Sequence, residues 1–97
     1  MLSKNQLKFI RGLKKKKIRQ AEQLFIAEGI KVVEELVNSS FEIHQIYATA
    51  SYTNPLKIPN IQEITEKELQ SISDFSNPNQ IIGIFKMPLP DALKNNG

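Results

Sequence analysis

The sequence has no cysteine. This excludes a disulfide framework, a thiol nucleophile and any cysteine-built zinc site, and it fits a reducing compartment. There is a single histidine, His44, so no pair of imidazoles can hold a metal, and the carboxylates show no ligand spacing. His44 stands beside Glu42 in a predicted strand and reads as a surface or packing residue. Gly12, Gly29 and Gly83 lie too far apart to form a phosphate-cradling loop, and neither Gly-x-Gly-x-x-Gly nor Gly-x-x-x-x-Gly-Lys occurs. Serines are plentiful, but none has a base partner implied by the sequence. No catalytic residue and no metal ligand is therefore assigned. No apolar run approaches the roughly 18–20 residues of a membrane span. The N-terminal charges are not followed by an apolar segment of the secretory kind. No membrane partner is expected, and the cytoplasm is the expected location.

A local absence is more informative. Residues 1–21 contain no Asp or Glu but eight Lys or Arg, whereas residues 22–97 contain five Lys or Arg and ten Asp or Glu. The net charge of +3 is thus a strongly basic N-terminal segment set against an acidic remainder, an asymmetry that points to a polyanion partner. The densest part runs through Arg11, Lys14, Lys15, Lys16, Lys17 and Arg19. Each neutralised phosphate would release counterions. A short lysine run is also what a solvated charge run looks like; the acid-free segment around it is the stronger signal. With Phe9 the lone aromatic nearby, readout of shape and backbone is expected rather than base stacking.

The 97 residues, 40% apolar and 24% charged, make one folded domain. Ser3 and Gln6 have capping-box spacing, with Leu2 and Leu7 at staple positions. They predict a helix from about Lys4 to somewhere between Leu13 and Lys17. Leu7, Ile10 and Leu13 form its buried stripe, with Phe9 at the edge. The lysine cluster is expected to crown the C-terminal end of that helix, where cations suit the dipole. Leu24–Ala27 reads as a buried strand, and Glu28-Gly29 as a tight turn into a helix over residues 30–37, with the Glu28 carboxylate suiting its dipole. A second strand is predicted over residues 42–49, a loop over 51–59 and a third strand over 61–64. A capping box at Thr65 and Glu68 opens another helix, after which Phe75 is expected to plug the core. Ile81–Phe85 is the most apolar strand and reads as central, and Gly83 within it implies a close approach. Asn79 and Gln80, at the junction before it, could hydrogen-bond bases or 2′-hydroxyls, or serve only as turn residues. Alternating strands and helices predict an α/β layer sandwich with a small, mostly parallel or mixed sheet.

Three stretches taken together resemble a known family. Lys16-Lys17-Ile18-Arg19 is followed by Leu24-Phe25-Ile26-Ala27-Glu28-Gly29-Ile30-Lys31-Val32-Val33-Glu34-Glu35, and later by Asn77-Pro78-Asn79-Gln80-Ile81-Ile82-Gly83-Ile84-Phe85. This is similar to the N-terminal substrate-binding domain of SpoU/TrmH-family RNA 2′-O-ribose methyltransferases. There a Lys-x-x-Arg segment precedes a Phe-x-x-Glu-Gly strand–turn–helix, and a Gln-containing turn opens the last strand. The likeness covers roughly residues 2–87. Here Ile81-Ile82 separates Gln80 from Gly83, where many members place the glycine directly after the glutamine.

The resemblance implies a three-layer α/β/α sandwich like that of kink-turn-binding ribosomal proteins. It implies an RNA substrate-binding domain over residues 1–88 and a linker over 89–97, leading to a trefoil-knot catalytic domain that this chain does not contain. The implied partner is ribosomal or transfer RNA. By position the resemblance implies RNA contact for Lys16, Lys17 and Arg19, to which the basic block adds Arg11, Lys14 and Lys15 on charge alone. Glu28 and Gly29 would shape the edge of that surface, and Asn79 and Gln80 would face RNA from the other side. S-adenosylmethionine is the cofactor implied for the catalytic domain, with none in this fragment, which would be monomeric and non-catalytic where the full enzyme is a homodimer. Two alternatives stand beside this reading. One is a stand-alone RNA- or ribosome-binding protein of the kink-turn-binder type; the other is a protein-interaction domain whose basic arm only solubilises.

Overall fold

The computed structural model describes residues 2–88; the stretch expected to be a linker, 89–97, lies outside them. In chain order the elements are α1 (Lys4–Gly12), α2 (Lys16–Glu22), β1 (Leu24–Glu28), α3 (Ile30–Asn38), β2 (Ile43–Ala48), β3 (Gln62–Glu63), α4 (Glu66–Ile72) and β4 (Ile81–Lys86).

Local chemistry sets the helix starts as expected. Ser3 Oγ accepts from the Gln6 N–H while the Gln6 side chain accepts from the Ser3 N–H. Thr65 and Glu68 repeat the arrangement at α4. Each box satisfies two of the backbone donors that a helix start leaves over. One Glu68 oxygen also accepts from the Leu2 N–H, so the entry to α1 is tied to the first turn of α4.

The four strands lie in the order β1-β4-β2-β3. β4 is antiparallel to both neighbours, and β2 pairs β3 in parallel. The sheet is therefore mixed, with one parallel pair. β4 is buried from Ile81 to Phe85, as its unbroken apolar run predicts for a central strand. Its alternate residues feed two cores. Ile82 and Ile84 join Leu24, Tyr47, Ile10, Leu13, Leu69 and Ile72 on the face covered by α1 and α4. Ile81 and Phe85 join Ala27, Ile46, Ala48 and Val33 on the face covered by α3. Helices on both faces make the three-layer sandwich.

Gly83 lies opposite Ala27 on one side and Ile46 on the other. A Cβ there would stand 2.7 Å from Phe85 Cε1 and 2.8 Å from Ile46 Cδ1. The expected close approach is thus made by side chains folding over the strand. The register of β2 shifts between Ile43 and Gln45, a bulge that places the exposed His44 outside the regular pleat. Its ring stands 5.9 Å from that of Phe9, which is a packing role.

Two expectations are corrected. Residues 16–22 form a helix, α2, so the basic block spans a helix–turn–helix junction instead of crowning a single C-terminus. α1 stops at Gly12 because the chain turns through Leu13, Lys14 and an extended Lys15. Phe75 does not plug the core: it is 54% exposed, and Leu69 and Ile72 already fill the α4 side. Glu28 stands just before α3 as expected; the N-cap is Gly29, so no side chain caps the helix, and the Glu28 carboxylate bonds residues 73 and 74.

Candidate nucleic-acid interface

The junction between α1 and α2 is built by the block's own side chains. Arg19 Nη1 donates to the carbonyl oxygens of Leu13, at 3.0 Å, and Lys14, at 2.7 Å. These carbonyls lie where α1 ends and intrahelical partners run out, and a guanidinium suits that position by both charge and geometry. Lys14 Nζ pairs with Asp74 Oδ1 at 2.8 Å. Arg11 Nη2 donates to the Ser71 carbonyl at 3.5 Å. These three cations thus also bind α1 and α2 to each other and to the end of α4.

Lys15, Lys16 and Lys17 are different. All three are exposed, and among the described residues no carboxylate forms an ion pair with them. Lys16 and Lys17 occupy the first turn of α2, which contains no acid. Cations at that end oppose the helix dipole, and three adjacent ammonium groups repel one another. This arrangement costs the fold stability and leaves the three ammonium groups in solvent.

Beside the junction opens a cleft of about 310 Å³, lined among others by Lys14, Arg19, Phe25, Glu28, Asp74 and Phe75. Glu28 closes one side. Its Oε1 accepts from Ser73 Oγ, and its Oε2 accepts from the Asp74 N–H at 3.0 Å. Ser73 Oγ in turn accepts from the Phe75 N–H at 2.9 Å. This chain of bonds holds the segment after α4 against the end of β1 and leaves the Phe75 ring facing outward.

Glu28-Gly29 and Asn79-Gln80 meet at the same end of the sheet. β1 and β4 run antiparallel with Glu28 opposite Ile82, and the Gly29 N–H donates to the Ile81 carbonyl at 3.0 Å. Gly29 has φ of 95° with open space where a Cβ would be, so glycine is needed for the backbone conformation and not for room. Gln80 is also left-handed, at φ 62°, and its carbonyl accepts from the Thr49 N–H at 2.9 Å. Asn79 is exposed and Gln80 half-buried.

Most of the sequence-derived candidates therefore fall into two groups. Lys14, Arg19 and Glu28 share the cleft, while Lys15, Lys16 and Lys17 stand out into solvent on the adjoining turn. Outside both, Arg11 reaches α4, and Gly29, Asn79 and Gln80 lie at the sheet end next to Glu28 without lining the cleft. Sequence reasoning missed Phe75 as an exposed aromatic here. The available signal was its setting, Ser-Asp-Phe-Ser-Asn-Pro-Asn, where no apolar neighbour continues toward a core. Among the described residues no group of three or more His, Asp or Glu could hold a metal ion. No helix among them is long and apolar enough to cross a membrane.

Comparison with known proteins gives this geometry a context. The family described as MRM3-like substrate binding domain matches residues 4–83. A protein of the TrmH family of RNA methyltransferases from Porphyromonas gingivalis is 32% identical over 91% of this chain and 36% of its own, with a TM-score of 0.80. An AdoMet-bound rRNA methyltransferase from Sinorhizobium meliloti is 25% identical over 93% of this chain and 36% of its own, with a TM-score of 0.73. An RNA 2′-O-ribose methyltransferase at 23% identity and a TM-score of 0.76 shares the fold, over 89% of this chain and 36% of that one. The chain spans about a third of the length of these relatives. No curated protein matches by sequence.

Proposed function

This chain belongs to the family of MRM3-like substrate binding domains, and from that membership we propose that it is the RNA-presenting part of an RNA 2′-O-ribose methyltransferase. One observation carries the reading: the family match runs from Lys4 to Gly83 and so takes in the basic junction, the cleft and the sheet end together. Three solvated lysines beside a cleft edged by an exposed aromatic supply what an RNA strand needs, phosphate neutralisation and a stacking edge. The substrate of the Sinorhizobium relative favours ribosomal over transfer RNA.

Phosphate contact falls to Lys15, Lys16 and Lys17. Arg11, Lys14 and Arg19 shape the surface and add their remaining donors. Glu28 sets the cleft wall, and Gly29, Asn79 and Gln80 extend the surface from the adjoining end of the sheet. Methyl transfer belongs to another part of the polypeptide, which would supply S-adenosylmethionine and, in this reading, the dimer contacts; the domain described here is monomeric and works in the cytoplasm. Both carboxylates that line the cleft are engaged within the protein, Glu28 with the Ser73 hydroxyl and the Asp74 N–H and Asp74 with Lys14, which favours placing that cofactor in the other part of the polypeptide.

The test is a titration of a labelled ribosomal RNA fragment at several salt concentrations. Affinity is expected to fall steeply with salt. Lys16→Glu combined with Lys17→Glu should weaken binding at least tenfold and reduce the magnitude of the log–log salt slope by about two. Equal affinity for parent and double variant would remove the basic junction from the RNA surface.

A further inference from the structure

A second, larger groove lies between α1 and α2, with a volume of about 660 Å³. Leu7, Phe9 and Ile18 provide its apolar lining. Lys4, Lys8, Arg11 and Lys15 stand around it. Lys4, Lys8 and Arg11 follow one another at steps of four and three, so they share one face of α1, and Lys15 continues the line beyond the turn. Glu22 is the one carboxylate in the lining. Phe9 is half-buried, and Ile18 is 37% exposed.

We propose that this groove seats an unpaired nucleotide of RNA, with the base against Phe9 and Ile18 and the flanking phosphates on Lys4, Lys8, Arg11 and Lys15. The proposal rests on the RNA-presenting reading above and extends it to a site selective for single strands. Two features argue for a nucleotide. Four cations against one carboxylate select an anion. The apolar lining between them selects an anion that carries a flat, weakly polar body next to each charge, which a nucleotide does and a run of acidic side chains does not. Base–aromatic stacking tolerates every base because each has a π-face, and the volume lies within the usual range of small-ligand sites. Lys14 lines the cleft and Lys15 the groove, so a strand leaving the groove passes over the exposed lysines directly to the cleft.

The experiment compares fluorescein-labelled oligouridylate with a labelled RNA duplex, using the parent chain, Lys4→Glu with Lys8→Glu, and Phe9→Leu. Leucine keeps the apolar contact of Phe9 and removes the ring face, and circular dichroism checks the fold of each variant. Phe9→Leu should weaken oligouridylate about fivefold to tenfold and leave the duplex within twofold. The lysine pair should weaken oligouridylate at least tenfold. Crosslinking with 4-thiouridine in the oligonucleotide should label the peptide containing Phe9. Equal losses on duplex and single strand in Phe9→Leu would overturn the base seat. So would oligoglutamate displacing oligouridylate at equal charge, which assigns the groove to an acidic protein segment. Oligouridylate binding that survives Lys4→Glu with Lys8→Glu but is lost with Lys16→Glu and Lys17→Glu sinks this proposal alone. Absence of any RNA binding by the parent sinks both this proposal and the function it rests on.

Discussion

The Glu28 carboxylate accepts the backbone N–H of Asp74 at 3.0 Å, across 46 residues of sequence, and so joins the end of β1 to the segment that follows α4. The same carboxylate accepts the Ser73 hydroxyl. Glu28→Ala removes both acceptor bonds at once. Hydrogen bonds to a charged group contribute about 1.5–3 kcal/mol when shielded, and partial exposure lowers that here. Urea denaturation of Glu28→Ala should show a loss of about 1 kcal/mol, and hydrogen exchange should speed up at Asp74 and Phe75. Unchanged exchange at both amides would mean that the segment is held by something other than Glu28.

Gly83→Ala tests the crowding at the centre of the sheet. The new methyl would meet the Phe85 ring and the Ile46 Cδ1 atom at under 3 Å, and overpacking of this kind costs about 1–3 kcal/mol. Ile46→Val removes Cδ1, at an expected cost of about 0.5–1.5 kcal/mol by itself. The double variant should therefore be less destabilised than the sum of the single changes, because the two sites share one volume. Strict additivity in denaturation midpoints would contradict the geometry.

Lys16 and Lys17 should trade stability against binding. An acid in the first turn of α2 meets the favourable end of the dipole, at about 0.3–1 kcal/mol per site, the lower figure applying to exposed positions. Lys16→Glu with Lys17→Glu is thus expected to unfold at a higher temperature than the parent while binding RNA worse. A fall in both would indicate that the lysines contribute to the fold itself.

Glu68 makes stability pH-dependent. The N–H groups of Leu2 and then Thr65 hold its carboxyl below the ordinary value of 4.5. A group with a depressed folded pKa contributes stability that is present above its unfolded pKa and is lost as pH falls through the folded one. Thermal unfolding should shift to lower temperature as pH is taken down from about 5 to below 4. Glu68→Gln should have a lower unfolding temperature at pH 7 and a shallower pH dependence. Parallel curves for the two proteins would remove Glu68 from the acid response.

Much of the fold was legible because its causes are local. The capping boxes at Ser3 and Thr65 each depend on two residues three positions apart, the Ile30–Val37 stripe on helical periodicity, and the centrality of β4 on one continuous apolar run. α2 was not legible, since Lys16–Glu22 has no buried residue to print a period on the sequence; Arg19 and the neighbouring turn hold it. The exposure of Phe75 and the direction of the Glu28 carboxylate depend on contacts between segments some 45 residues apart. At the candidate site, the basic block and the two turns at Glu28-Gly29 and Asn79-Gln80 could be picked out as candidates from the sequence. The division of the basic block into bracing cations and solvated ones could not, because it turns on which carbonyls and carboxylates the fold brings within reach.

The position of β4 has one more consequence. It lies between β1 and β2, which precede it by dozens of residues. As synthesis proceeds from the N-terminus, both earlier strands carry bare hydrogen-bonding edges until Ile81–Lys86 has emerged to fill the gap. Such sequence-distant closure makes folding slow relative to local helix formation, and it exposes unpaired edges to other chains in the interval. A polypeptide shortened to end before Ile81 would lose the strand on which both cores converge, so acquisition of the native sheet depends on the last described strand.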